Sequence, residues 1–110
     1  PFVVWGSPDV VRDFLYVKDV VKGCLLVLEK GESMKPYNVG YGTTVNIGDI
    51  VNTILKVTGK TPDVQWDNSK PTTIPFRSCS TERIETELGF KPDYTFEQGM
   101  KETIEWYENL

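Results

Sequence analysis

Histidine is absent from all 110 residues. Without imidazole, Ser–His and Cys–His nucleophile pairs are excluded, as is any zinc site that needs a histidine ligand. Cys24 and Cys79 are the only thiols. They are too few for a disulfide framework or a four-thiolate metal site, and a reducing cytoplasm is the expected location. An excess of basic charge is also missing, because 12 Lys and Arg stand against 16 Asp and Glu, giving a formal charge of −4. That balance argues against nucleic acid or an anionic membrane as partner, yet leaves room for a local cationic pocket. The longest purely apolar run, from Cys24 to Leu28, is far too short to span a membrane.

Apolar residues make up 39% and charged residues 25%, a balance typical of a folded chain. The length fits one domain, expected to bury roughly two-thirds of its unfolded surface. Pro1 is not an initiator methionine, and Phe2-Val3-Val4 enters an apolar run at once, so a piece of a longer polypeptide is expected. Phe2–Trp5 reads as a short strand, followed by a Gly6-Ser7-Pro8-Asp9 turn. Phe14–Val17, Tyr37–Val39 and Val64–Trp66 are further expected strands. Helices are expected over about 19–30, 47–58, 81–88 and from Phe96 onward. In the first, Val20, Val21, Cys24, Leu25 and Leu28 form the expected buried face, which makes Cys24 an inert core thiol, and Gly31 is the expected left-handed end residue. The last opens with Thr95 and Gln98 in the spacing of a reciprocal capping box, and Phe96, Met100, Ile104 and Tyr107 form its apolar stripe. The predicted fold class is α+β, with short strands, about four helices and long loops.

Arg12, set between apolar neighbours in Val10-Val11-Arg12-Asp13-Phe14, can offer its fork of donors to a phosphate or can pair with Asp13. Lys70 and Arg77, on the polar loop that carries Pro71 and Pro75, could add charge to the same anion or simply be solvated. Trp5, beside a glycine turn, can stack on a base or fill a core. Thr43, Thr44 and Asn46 fit the entry to the second helix better than a ligand. Gly40-Tyr41-Gly42 lacks the third glycine of a dinucleotide fingerprint. No acid–base set emerges, since none of the five tyrosines has a lysine four residues later.

Trp5-Gly6-Ser7 and the run from Arg12 to Val20 resemble the start of the C-terminal region of extended short-chain dehydrogenase/reductases that act on nucleotide sugars. Tyr37–Gly40, Lys70-Pro71, Leu88–Pro92 and Glu97–Lys101 continue the resemblance in order. Within that family the likeness is greatest to the GDP-L-fucose synthase branch, through the Trp5–Arg12 spacing and the loop from Lys70 to Arg77. UDP- and dTDP-sugar epimerases and dehydratases share the frame.

The resemblance implies that residues 1–110 are a C-terminal substrate-binding domain, normally packed on a Rossmann domain not present in this stretch. It implies that Trp5, Ser7, Arg12, Lys70 and Arg77 bind a nucleotide-diphosphate sugar, with Arg12 and Lys70 on the diphosphate and Trp5 on the base. NADP or NAD would serve the intact protein without binding these residues, which would be inactive alone. A homodimer is implied for the intact protein, and self-association for this piece. Thr72-Thr73 replace the family's frequent Asp-Gly, and Ser80 a common aspartate, which bears on ribose contacts. The competing reading is a non-catalytic interaction module.

Overall fold

A computed structural model describes all 110 residues. In chain order the elements are β1 (Phe2–Trp5), β2 (Val11–Arg12), α1 (Val17–Lys30), β3 (Val45–Asn46), α2 (Ile47–Thr58), β4 (Val64–Asp67), α3 (Glu82–Leu88) and α4 (Phe96–Glu108). The strands form two separate pairs. β1 runs parallel to β4, with Trp5 opposite Asp67, and β2 runs antiparallel to β3, with Val11 opposite Asn46 and Arg12 opposite Val45. α1 packs on α3, and α2 on α4. The α+β class with four helices is as expected.

Local chemistry fixes the helix ends. The Asn46 side chain accepts from Asp49 N–H at 2.7 Å and starts α2, and Gly59 ends it in a left-handed conformation at φ 67°. α4 opens with the reciprocal Thr95–Gln98 capping box. Gly31, by contrast, is extended at φ −64°. It needs to be glycine for another reason: a Cβ there would collide with the Val27 carbonyl oxygen.

Two expected strands do not form. Around Phe14–Val17 the ladder lies earlier, at Val11–Arg12, and α1 has already begun at Val17. The aromatic side chains there pack on α4 and the segment before it instead: Phe14 meets Phe96 edge-on at 6.4 Å and Tyr16 meets Tyr94 at 4.7 Å. Tyr37–Val39 has no partner strand; Asn38 donates to the Ser80 carbonyl, and the Tyr37 hydroxyl accepts from Glu32 N–H.

α1 buries a different face from the expected one. The expected apolar face of Val20, Val21, Cys24, Leu25 and Leu28 is exposed, and Cys24 is no core thiol. Asp19 and Gly23 face inward instead. Asp19, 1% exposed, accepts from Asp93 N–H at 2.8 Å and from Tyr94 N–H at 3.1 Å. Gly23 lies so close to Val39 and Phe90 that any side chain would clash. On α4, Tyr107 likewise projects into solvent.

The expected core is correspondingly thin, with Val51, Ile84 and Phe90 as its buried apolar residues. The radius of gyration is 16.4 Å, against about 13 Å for a compact chain of this length. The exposed area is 7740 Å², where a monomer of this mass shows about 6,200 Å². Large apolar side chains stay exposed, among them Val17, Val21, Leu25, Leu28 and Trp106.

Asp19→Ala should leave the Asp93 and Tyr94 N–H groups without their buried acceptor and lower stability by about 2–4 kcal/mol. Asp19→Asn, which keeps one acceptor, should lose less. Urea unfolding followed by circular dichroism ranks the three proteins.

Candidate anion-binding site

Val11 has a neighbour on each side, and both of its backbone groups bond to the loop. Beside its pairing with Asn46, its N–H donates to the Pro75 carbonyl at 2.8 Å, and its own carbonyl accepts from Arg77 N–H at 3.1 Å. This short parallel bridge to Phe76 draws the end of the 68–77 loop against β2. The other end of the loop is tied at β4, where Gly6 N–H donates to the Asp67 carbonyl at 3.0 Å. Gly6 makes that turn at φ 93°, a conformation that favours glycine.

Four of the five expected site residues therefore border one loop. Arg12 Nη1 donates to the Val11 carbonyl at 2.6 Å, and Nη2 donates to Thr73 Oγ1 at 2.9 Å. Lys70, three residues before Thr73, holds its Nζ 5.3 Å from the centre of the Trp5 indole. Trp5 is 67% exposed, which rules out a core role and leaves an apolar face open. The Asp67 carboxylate orders the turn, accepting from Ser69 N–H and Oγ and lying 4.0 Å from Lys70 Nζ. Arg77 is anchored through its backbone to Val11, and its side chain is exposed. Ser7 stands apart from the loop: its Oγ accepts from Asp9 N–H at 3.2 Å inside the first turn.

The decisive electrostatic feature is Arg12. Of the twelve cationic side chains, six lie within ion-pair distance of a carboxylate. Among the other six, Arg12 alone is half-buried, while Lys30, Lys60, Arg77, Arg83 and Lys91 are exposed. The sequence offered Asp13 as a partner, but that carboxylate turns away. It accepts from Tyr41 N–H at 2.9 Å and faces the Cys79 thiol at 3.7 Å. Burial, then the Asp13 charge, pushes the Cys79 thiol above its ordinary range, so it stays protonated. A partly desolvated cation without a counter-charge favours an anion.

A separate open groove of about 580 Å³ lies along α4, lined by Phe14, Val17, Phe96, Met100 and Trp106 among others. Its polar edge is internally neutralised. Lys18 Nζ and the Tyr16 hydroxyl each donate to Glu102 Oε2 at 2.7 Å. Those bonds, Lys18's first, hold the Glu102 carboxyl below its ordinary range. The bond to Glu102 in turn raises Lys18 and Tyr16 above theirs. With its one cation matched, this groove is no anion site. Sequence reasoning missed Glu102, and met Thr73 only as a departure from Asp-Gly and not as a partner of Arg12, because their bonds span 84 and 61 residues.

The model of the GDP-mannose 4,6 dehydratase family matches residues 1–103. The chain belongs to that family. Among relatives of the family, a probable GDP-L-fucose synthase 1 from Oryza sativa subsp. japonica is 32% identical over 98% of this chain and 33% of its own length. A dTDP-glucose 4,6-dehydratase from Salmonella typhimurium is 30% identical over 97% of this chain and 32% of its own length. Two solved structures agree in fold. One is the Bacillus anthracis dTDP-glucose 4,6-dehydratase in complex with NAD, with a TM-score of 0.87 and 31% identity over 97% of this chain and 34% of that one. The other is the Thermotoga maritima UDP-glucose 4-epimerase with UDP-glucose, with a TM-score of 0.88 and 25% identity over 98% and 35%. The chain thus spans about a third of the length of the relatives it matches. No helix is long and apolar enough to cross a membrane.

The Glu102 cluster sets a pH dependence. A lowered carboxyl adds stability above its unfolded pKa, lost as pH falls through the folded value. The raised Lys18 and Tyr16 add stability below their unfolded pKa values, lost as pH rises through the folded ones. The melting temperature should therefore be flat between about pH 5 and pH 8 and fall on both sides, the raised Cys79 thiol entering the alkaline loss ahead of Tyr16 and Lys18. In Glu102→Gln the plateau should be lower and the two limbs shallower, which differential scanning fluorimetry across pH will read.

Proposed function

We propose that these 110 residues form the nucleotide-sugar-binding part of a longer NAD(P)-dependent epimerase, reductase or dehydratase. The observation that carries this reading is the half-buried, uncompensated Arg12 guanidinium beside the loop of Lys70 and the open indole of Trp5. Arg12 and Lys70 hold the diphosphate, and Trp5 lies against the base. Arg77 adds positive charge at the loop's far end, and the Ser7 hydroxyl, two residues after Trp5, keeps its proton free to donate. Binding here would orient the sugar and neutralise the charge of its carrier, leaving bond-making groups to be supplied elsewhere.

The nicotinamide cofactor would be held by other residues. The nearest approach to a dinucleotide turn, Gly40-Tyr41-Gly42, is a poor cradle for a pyrophosphate, because Gly40 is buried against the Asp13 carboxylate and Cys79. The exposed stripe of α1, from Val17 through Val21 and Leu25 to Leu28, is read as the face on which the rest of the polypeptide packs.

Within the family we favour a GDP-L-fucose synthase-like substrate, supported by the Oryza relative and by the Trp5–Arg12 spacing. A dTDP-sugar substrate is the second reading, supported by the Salmonella and Bacillus relatives.

Titration calorimetry of the intact polypeptide with GDP-, UDP- and dTDP-sugars tests both readings. Arg12→Ala and Lys70→Ala should each weaken the preferred ligand about 10- to 100-fold, the loss of one charge-assisted contact. Unchanged affinity in both variants would remove the diphosphate assignment, and tighter binding of a dTDP-sugar than of a GDP-sugar would favour the second reading.

A further inference from the structure

We infer that Thr73 is a positioning residue for Arg12, its hydroxyl fixing one arm of the guanidinium so that the remaining donors are presented as a set. The inference rests on the diphosphate reading above and adds to it a residue that the sequence pattern did not select. An arginine carries five N–H donors in a rigid planar fork. Two of them are engaged, Nη1 with the Val11 carbonyl and Nη2 with Thr73 Oγ1. Those two bonds come from opposite sides of the site, one from the strand that bears Arg12 and one from the loop that faces it. Two anchors on different nitrogens define the plane of the fork, where one would leave it free to swivel. No carboxylate competes for the remaining donors, because Asp13 is committed to Tyr41 and Cys79.

Thr73 is well placed for this work. Its loop is pinned at one end by the Gly6–Asp67 bond and at the other by the two bonds between Val11 and Pro75–Arg77. Between the anchors, Pro71 stiffens the chain. Lys70 sits three residues from Thr73 and is steadied by the Trp5 indole and by Asp67. The loop therefore sets both cations at once, and the Arg12–Thr73 bond is the one side-chain link between the strand cation and the loop cation's segment. A neutral acceptor is the suitable choice. A carboxylate at this position would neutralise the guanidinium and compete with the phosphate, whereas a hydroxyl oxygen orients it without cancelling its charge.

The test is nucleotide titration of the intact polypeptide with GDP, UDP and dTDP, comparing wild type with Thr73→Val, Thr73→Ser, Arg12→Ala and the Arg12→Ala/Thr73→Val double variant. Thr73 is exposed, so thermal midpoints should be shared by wild type and the Thr73 variants. Thr73→Val should weaken the tightest nucleotide roughly three- to tenfold, the span of one hydrogen bond. Thr73→Ser should restore affinity to within about twofold, and Thr73→Val should cost nothing further once Arg12 is alanine. If Arg12→Ala weakens binding and Thr73→Val does not, the positioning role is overturned while the diphosphate reading stands. An equal loss from Thr73→Val with and without Arg12 overturns it as well, because Thr73 would then act independently. If Arg12→Ala has no effect, Arg12 holds no phosphate and the inference is overturned; if wild type binds none of the three nucleotides, the diphosphate reading fails and takes the inference with it.

Discussion

The backbone of Val11 is the junction on which the site depends. On one edge it pairs with β3, which leads directly into α2; on the other it is bonded to Pro75 and Arg77 at the end of a long polar loop. A two-residue strand contributes little stability by itself. Its importance is positional, because it brings a loop more than sixty residues away in sequence against the side chain of the next residue, Arg12. Once the loop is fixed there, the Arg12 charge is partly removed from water with no acid to balance it. That imbalance is the physical reason to expect an anion.

The remainder of the domain reads as support for that junction, and its own core is slight. α1 is held by the Asp19 carboxylate gripping two N–H groups ahead of α4, and by the close approach of Gly23 to Val39 and Phe90. Gly99 performs a similar service on α4, where a Cβ would lie 2.7 Å from that of Tyr16. Polar clamps and glycine contacts thus do much of the work that a larger apolar core does elsewhere. The apolar residues released from that duty line the outer face of α1 and the groove along α4.

Much of this was legible in the sequence wherever the cause was local. Asn46 and Gly59 bracket α2, Thr95 and Gln98 open α4, and β1 and β4 fall on their β-branched and aromatic runs. Periodicity failed for α1, because a helix with apolar residues on one side and Asp19 and Gly23 on the other is normally read apolar side inward. Here Asp93 and Tyr94, more than seventy residues away, decide otherwise. β2 and β3 are too short to leave an alternating pattern. Of the site, Trp5, Arg12 and Lys70 stood out because their residue types suit a phosphate and a base. Thr73 did not, because a loop threonine gives no sign of a partner 61 residues away.

Nuclear magnetic resonance addresses the central claim at the level of single side chains. With the intact polypeptide labelled with nitrogen-15, the Arg12 Nε–H and Trp5 indole N–H signals are followed as GDP is added. Arg12 and Trp5 should shift together along one saturating curve, with the Trp106 indole signal beside the α4 groove unmoved. Movement of Trp106 while Arg12 and Trp5 stay fixed would place the anion elsewhere and contradict the account.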